Sequence, residues 1–248
     1  MEYAFLFFIG LVIGSFCNVA GLRVPQKKSI VYPGSSCSAC DRKLGWYELI
    51  PVVSWVIQRG RCRGCKGEIL ILYPVTELLT GLLFMLSPLL LGWSFELCIS
   101  WSLIAMLAII TVSDLVYMII PDRILMFFGS FFIPLRLWVQ IGSAWNPVLG
   151  FLLGFGLLYF IAAASGGGMG GGDVKLMGVA GIVLGWKAVL LAFMLALFFG
   201  AVFGTAGIAL KRLNRKQRIP FGPFLAAGIL FSYFFYEEIA GFYFSQMH

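Results

Sequence analysis

The sequence predicts an all-α polytopic membrane protein of about eight transmembrane helices, with a small cytosolic zinc-knuckle loop between the first and the second. Three observations carry this reading. Of the 248 residues, 60% are hydrophobic and only 12% charged, about half the charge of a soluble domain. Apolar runs of about 18 residues or more, the length that crosses a bilayer, recur along the chain. One substantial polar insertion, residues 23–68, interrupts them and carries two Cys-x-x-Cys pairs.

Setting the apolar runs against their breakers gives spans at 3–22, 69–91, 95–113, 124–142, 147–164, 174–186, 188–210 and 220–243. The first lacks the basic start and small-residue cleavage site of a signal peptide, so it reads as a retained span. The sixth is short, and its boundary with the seventh is open. The organisation expected is a first helix (1–22), a four-cysteine loop domain (23–68) and a transmembrane domain (69–248).

The net charge of +7 would point to nucleic acid in a soluble protein. Here the basic residues cluster beside spans, as the positive-inside rule requires, so no nucleic-acid partner is expected. In the eight-span arrangement, sixteen of the eighteen Lys and Arg fall on one side, leaving only Arg136 and Lys187 elsewhere. That asymmetry puts the 23–68 loop in the cytosol. The nine basic residues of the loop are expected to meet anionic lipid headgroups.

Within the loop, Cys37-x-x-Cys40 and Cys62-x-x-Cys65 are separated by 21 residues. Four thiolates at this spacing close a tetrahedron around zinc. Disulfides do not persist in a reducing cytosol, and a redox Cys-x-x-Cys opens a helix after a strand, a pattern absent here. The loop has too little apolar surface to fold alone, so a structural zinc would supply much of its stability. Cys17 and Cys98 lie in or beside spans and read as packing residues.

The only histidine is His248, which argues against Ser-His and Cys-His triads and HExxH metal sites. Carboxylates are what remains. Four of the eleven acids sit at the outer edges of spans and three in the basic loop. Glu77, Asp114, Asp122 and Asp173 are left, and an ionised acid in a bilayer is costly enough to mark function. The third span runs toward the cytosol and ends near Asp114; the sixth leaves the cytosol at Asp173. Two carboxylates at one membrane depth form what an aspartyl protease needs: they share a proton, one acting as base toward water and the other as acid. Six glycines in the seven positions before Asp173 would let a backbone approach an extended peptide, with Gly170 and Gly172 as substrate-positioning candidates. Taken alone, the run is equally a flexible linker, and Asp114 equally a helix-end charge.

Together these motifs resemble the type IV prepilin peptidases, bacterial relatives of the GxGD intramembrane aspartyl proteases. The signature stands as Gly170-Gly171-Gly172-Asp173, extended by Val174-Lys175-Leu176; Asp114 through Pro121-Asp122 matches the family's Asp-x6-Pro-Asp. Gly14-Ser15-Phe16-Cys17-Asn18-Val19, Arg23-Val24-Pro25, the two Cys pairs, Tyr73-Pro74-Val75-Thr76-Glu77 and Pro220 to Pro223 follow in family order. Cys17 stands where leucine is usual, and Gly166-Gly167-Gly168-Met169 where many relatives carry a glutamate.

The resemblance implies a bacterial cytoplasmic-membrane peptidase that cuts basic leaders from prepilins and pseudopilins at the cytosolic face, with Asp114 and Asp173 as the catalytic pair. Asp122 is the alternative partner of Asp173, although the start of a helix suits it better. Glu77 is a candidate for substrate contact or hydrogen-bonded packing, and Lys175 for a headgroup anchor or a modulator of a nearby acid. Many members also N-methylate the new terminus with S-adenosylmethionine; no glycine-rich nucleotide fold is present here. The rival reading is an ion-coupled transporter, in which Asp114, Asp173 and Glu77 line a pathway.

Overall fold

The apolar runs become helices because only a helix, or a closed barrel, satisfies every backbone N–H and C=O inside lipid. The computed structural model describes residues 1–140, 142–164, 166, 169–212, 214 and 219–245. Gly167 and Gly168 of the glycine run, Arg215, Lys216 and Arg218 of the late basic group, and His248 lie outside the described residues. The helices are α1 (Glu2–Arg23), a short α2 (Val53–Ile57), α3 (Leu72–Leu91), α4 (Glu96–Tyr117), α5 (Asp122–Trp138), α6 (Asn146–Ala164), α7 (Gly171–Ala209) and α8 (Gly222–Ser245). No strand longer than a single bridge occurs among the described residues.

Six of these helices are long and apolar enough to cross a membrane, against about eight spans expected. The difference has two sources. At 17 residues, α5 reaches only about 26 Å against a hydrocarbon thickness of about 30 Å. The expected sixth and seventh spans form one element, the 39-residue α7, but its helical geometry fails at Gly185, where φ is +77°. That conformation is open to glycine and strained for other residues. Asn146 Oδ1 accepts the Trp186 N–H at 3.2 Å, satisfying a donor that the break exposes.

Two compact units divide the chain between Val116 and Tyr117. In the first, α1 packs along α3 through small residues. A Cβ at Gly10 would lie 2.7 Å from Gly81 Cα, and one at Gly14 would lie 2.8 Å from Glu77 Cα. Backbones come this close only where side chains are missing, the packing that lipid-embedded helices favour. Against α3, α4 adds a buried Ser87–Ser100 hydrogen bond of 2.9 Å and a Phe84–Trp101 stack.

In the second unit α7 is the centre, flanked by α5, α6 and α8. Gly150 of α6 and Gly181 of α7 meet backbone to backbone; a Cβ on either would fall within about 2 Å of the other's carbonyl oxygen. On the α8 side, the buried Ser232 hydroxyl donates to Ala188 O at 2.6 Å.

Candidate active site and metal centre

The cysteine pairs occupy two matching turns. In the first, Asp41 N–H bonds to Cys37 O and Cys37 N–H to Arg42 O; in the second, Lys66 N–H bonds to Cys62 O and Cys62 N–H to Gly67 O. Each turn is closed by one antiparallel bridge, Ser36 with Lys43 and Arg61 with Glu68. The residue after each second cysteine, Asp41 or Lys66, takes a positive φ. The four Sγ atoms all lie within 4.8 Å of one another, and Cys37 and Cys65 are 3.8 Å apart. Zinc–sulfur bonds of about 2.3 Å in a tetrahedron require edges of about 3.8 Å, so the donor set fits zinc.

Charge prepares the centre. Backbone N–H groups of Cys65 and Gly64 bring the Cys62 thiol down to about 6, so it is a thiolate at neutral pH. The Arg42 N–H favours the Cys40 thiolate, but hydrogen bonding with Cys65 and Cys37 outweighs it and raises that thiol to about 11. Its proton must leave as metal binds. Around the knuckles, Arg42 pairs with Glu48 at 2.7 Å, and Gly45 N–H donates to the other Glu48 oxygen at 3.0 Å. Those two contacts hold the buried Glu48 below the ordinary carboxylate range.

Glu77 links its span to the cysteine loop. It is buried in α3, and its Oε2 accepts the Val52 N–H at 2.7 Å. Val52 precedes α2 with φ +60°, so a strained turn of the loop is tied to the span by a hydrogen bond to a buried acceptor. Beside it, Asn18 of α1 donates to Tyr73 O at 3.1 Å. Asn18 thus ties α1 to α3, and Glu77 ties the loop to α3.

Asp114 lies in the last turn of α4, in the first unit, and is buried. Asp173 lies in the first turn of α7, in the second unit, where the helix N-terminus favours negative charge. Its own N–H bonds to Gly170 O at 3.1 Å, and a Cβ at Gly170 would sit 3.2 Å from its Oδ2. Gly172 faces Ile120, where a Cβ would come within 2.7 Å of the Ile120 Cβ. Lys175 pairs with Asp122, the first residue of α5, at 2.7 Å. The roles left open for Lys175 and Asp122 thus meet in one contact, since each residue has the other as partner. No sequence signal could reveal it, because 53 residues separate the two.

Asp173 is half-buried and lines neither of two cavities of about 590 Å³. One cavity sits around Asn146, Trp186 and Lys187, about a dozen residues along α7, which is about 18 Å of helix. The other borders Arg59, Cys62 and Lys66 in the loop.

Residues 8–91 match the bacterial peptidase A24 N-terminal domain, and residues 101–205 match the type IV leader peptidase family. A Bacillus subtilis protein is 42% identical over 238 residues, covering 96% of each chain. One from Myxococcus xanthus is 37% identical over 229 residues, covering 88% of this chain and 68% of that one. One from Aeromonas salmonicida is 32% identical over 263 residues, covering 91% and 88%. All three carry the name prepilin leader peptidase/N-methyltransferase. No solved structure matches the chain. With the family's N-terminal and catalytic domains both present and a relative similar along nearly its whole length, the chain belongs to the type IV leader peptidase family.

Proposed function

We propose that this protein is a membrane-embedded aspartyl endopeptidase that removes the leader from prepilins or pseudopilins at the cytosolic face of the bacterial cytoplasmic membrane. The observation that carries the reading is the 42% identity, over 96% of both chains, to a prepilin leader peptidase/N-methyltransferase. Transporters find no support among the relatives. The charge asymmetry of the sequence supports the cytosolic orientation.

Asp114 and Asp173 are the catalytic pair in this reading. One carboxylate takes a proton from water, which attacks the scissile carbonyl; the other, protonated, gives its proton to the leaving amine. Gly170 leaves the Asp173 backbone open to an extended peptide, because no Cβ stands in the way, whereas the space a Cβ would take at Gly172 is filled by Ile120. Residues 23–68 form a metal-stabilised loop ahead of the 69–248 peptidase domain. Cys37, Cys40, Cys62 and Cys65 would hold a structural zinc, which supplies folding energy and takes no part in peptide cleavage. N-methylation of the new terminus with S-adenosylmethionine belongs to the same reading, through the relatives' name.

Cleavage of a prepilin reporter by the purified full chain tests it. Asp114→Asn and Asp173→Asn should each lose about 10²–10⁴-fold in rate, the range of a missing acid or base. Asp122→Asn should stay within about fivefold of the wild-type rate, since it breaks only an exposed ion pair. Equal cleavage by all the variants would sink the dyad.

A further inference from the structure

Catalysis by two carboxylates does not in itself call for the ion pair that stands at the head of α7. Lys175 Nζ donates to Asp122 Oδ2 at 2.7 Å, and the two side chains are 50% and 54% exposed. One turn before Lys175, Gly172 packs against Ile120 so closely that a Cβ would fall within 2.7 Å of the Ile120 side chain. Residues three apart share a helical face. Gly172 and Lys175 therefore attach the first turns of α7 to residues 120–122 at two points on one face.

Asp173 is not on that face. At about 100° per residue it lies about 100° around the helix from Gly172 and about 160° from Lys175. An attachment on that face would fix the rotation of the helix head, and with it the direction in which the Asp173 side chain leaves the helix. Some restraint is needed there. The first turn of a helix lacks the full set of intrahelical partners for its N–H groups, and Gly170 and Gly171, which lead into it, have no side chains with which to pack it against a neighbouring helix.

We propose that the Lys175–Asp122 ion pair and the Gly172–Ile120 contact form a clasp that positions Asp173 for peptide cleavage. Asp122 and Lys175 are positioning residues, and the proposal rests on Asp173 being catalytic.

The test is prepilin-reporter cleavage by the full chain in detergent, with kcat and KM measured separately. Asp122→Asn and Lys175→Met should each lower kcat about two- to fivefold, the reach of an exposed ion pair, and leave KM unchanged. The double variant should be no worse than the weaker single one, since a broken pair has nothing further to lose. Lys175→Arg, which keeps the charge, should restore the rate. Additive losses overturn the clasp, as does a change confined to KM. Loss in Lys175→Met without loss in Asp122→Asn also overturns it, and makes Lys175 a headgroup anchor. Asp173→Asn in the same assay separates the two ideas. If it cuts like wild type, the active-site reading fails and the clasp with it; if it is inactive while both pair variants cut normally, the clasp alone fails.

Discussion

The four-cysteine loop and the α6–α7 pair hold themselves together by opposite means. The loop relies on a few discrete polar groups: four thiols within 4.8 Å of one another, the Arg42–Glu48 pair and the Glu77–Val52 bond. The helix pair relies on what is missing, since Gly150 and Gly181 bring two backbones into contact. A structure built from discrete groups is weakened by deleting one of them. A structure built from close approach is weakened by adding an atom. The two regions should therefore fail under different substitutions.

Metal removal should have the largest effect and strike only the loop. Apparent binding energies for structural zinc run to about 10–16 kcal/mol in zinc-finger peptides. A strong chelator, or Cys62→Ser, should open residues 23–68 to limited proteolysis while α6 and α7 stay protected, with about one zinc per chain lost by elemental analysis. Protection of the loop without metal would break the contrast. Next, Gly181→Leu should spare the loop and its zinc but destabilise the helix pair by about 1–3 kcal/mol or more through overpacking, read as a lower Tm in detergent. Gly181→Ala should do the same more mildly.

Glu77→Leu sharpens the comparison, because Glu77 joins the two styles: a discrete polar group inside a span. Removing the acceptor of the Val52 N–H should cost about 1–3 kcal/mol, seen as faster hydrogen exchange around Val52 with the four thiols still able to bind zinc. The smallest effect belongs to Glu48. Its folded carboxyl lies below its unfolded value, which is near 4.3. Its stabilisation is thus complete above that value and disappears as pH falls through the lower, folded one. Extra protection of the Gly45 amide in wild type over Glu48→Gln should be present at neutral pH and vanish in acid. A difference that grew on acidification would contradict the Arg42 pairing.

The metal site was legible because its ligands come in local pairs. Two residues between cysteines make a turn, and the turn's geometry follows from the chain itself. The helices were legible for a similar reason, since membrane thickness sets the length of an apolar run. In α7 the break at Gly185 falls within two residues of the boundary expected between the spans 174–186 and 188–210, while its left-handed geometry carries no local sequence pattern beyond the glycine itself. Asp173 could be singled out from the glycines before it. The partner of Lys175 could not, because an acid 53 residues away is one candidate among several until the fold brings them together.

By itself, then, the sequence determined a helical membrane chain and a four-thiol knuckle, and it narrowed the acids to a short set of candidates. These follow from hydrophobicity, spacing and composition, which act over a few residues at a time. Only the tertiary structure decided that Glu77 ties the Val52 turn to α3, that Asn146 bonds the Trp186 N–H beside the break in α7, and that Lys175 meets Asp122. Each of those depends on the close approach of distant backbone, set by packing across helices and invisible to any local pattern.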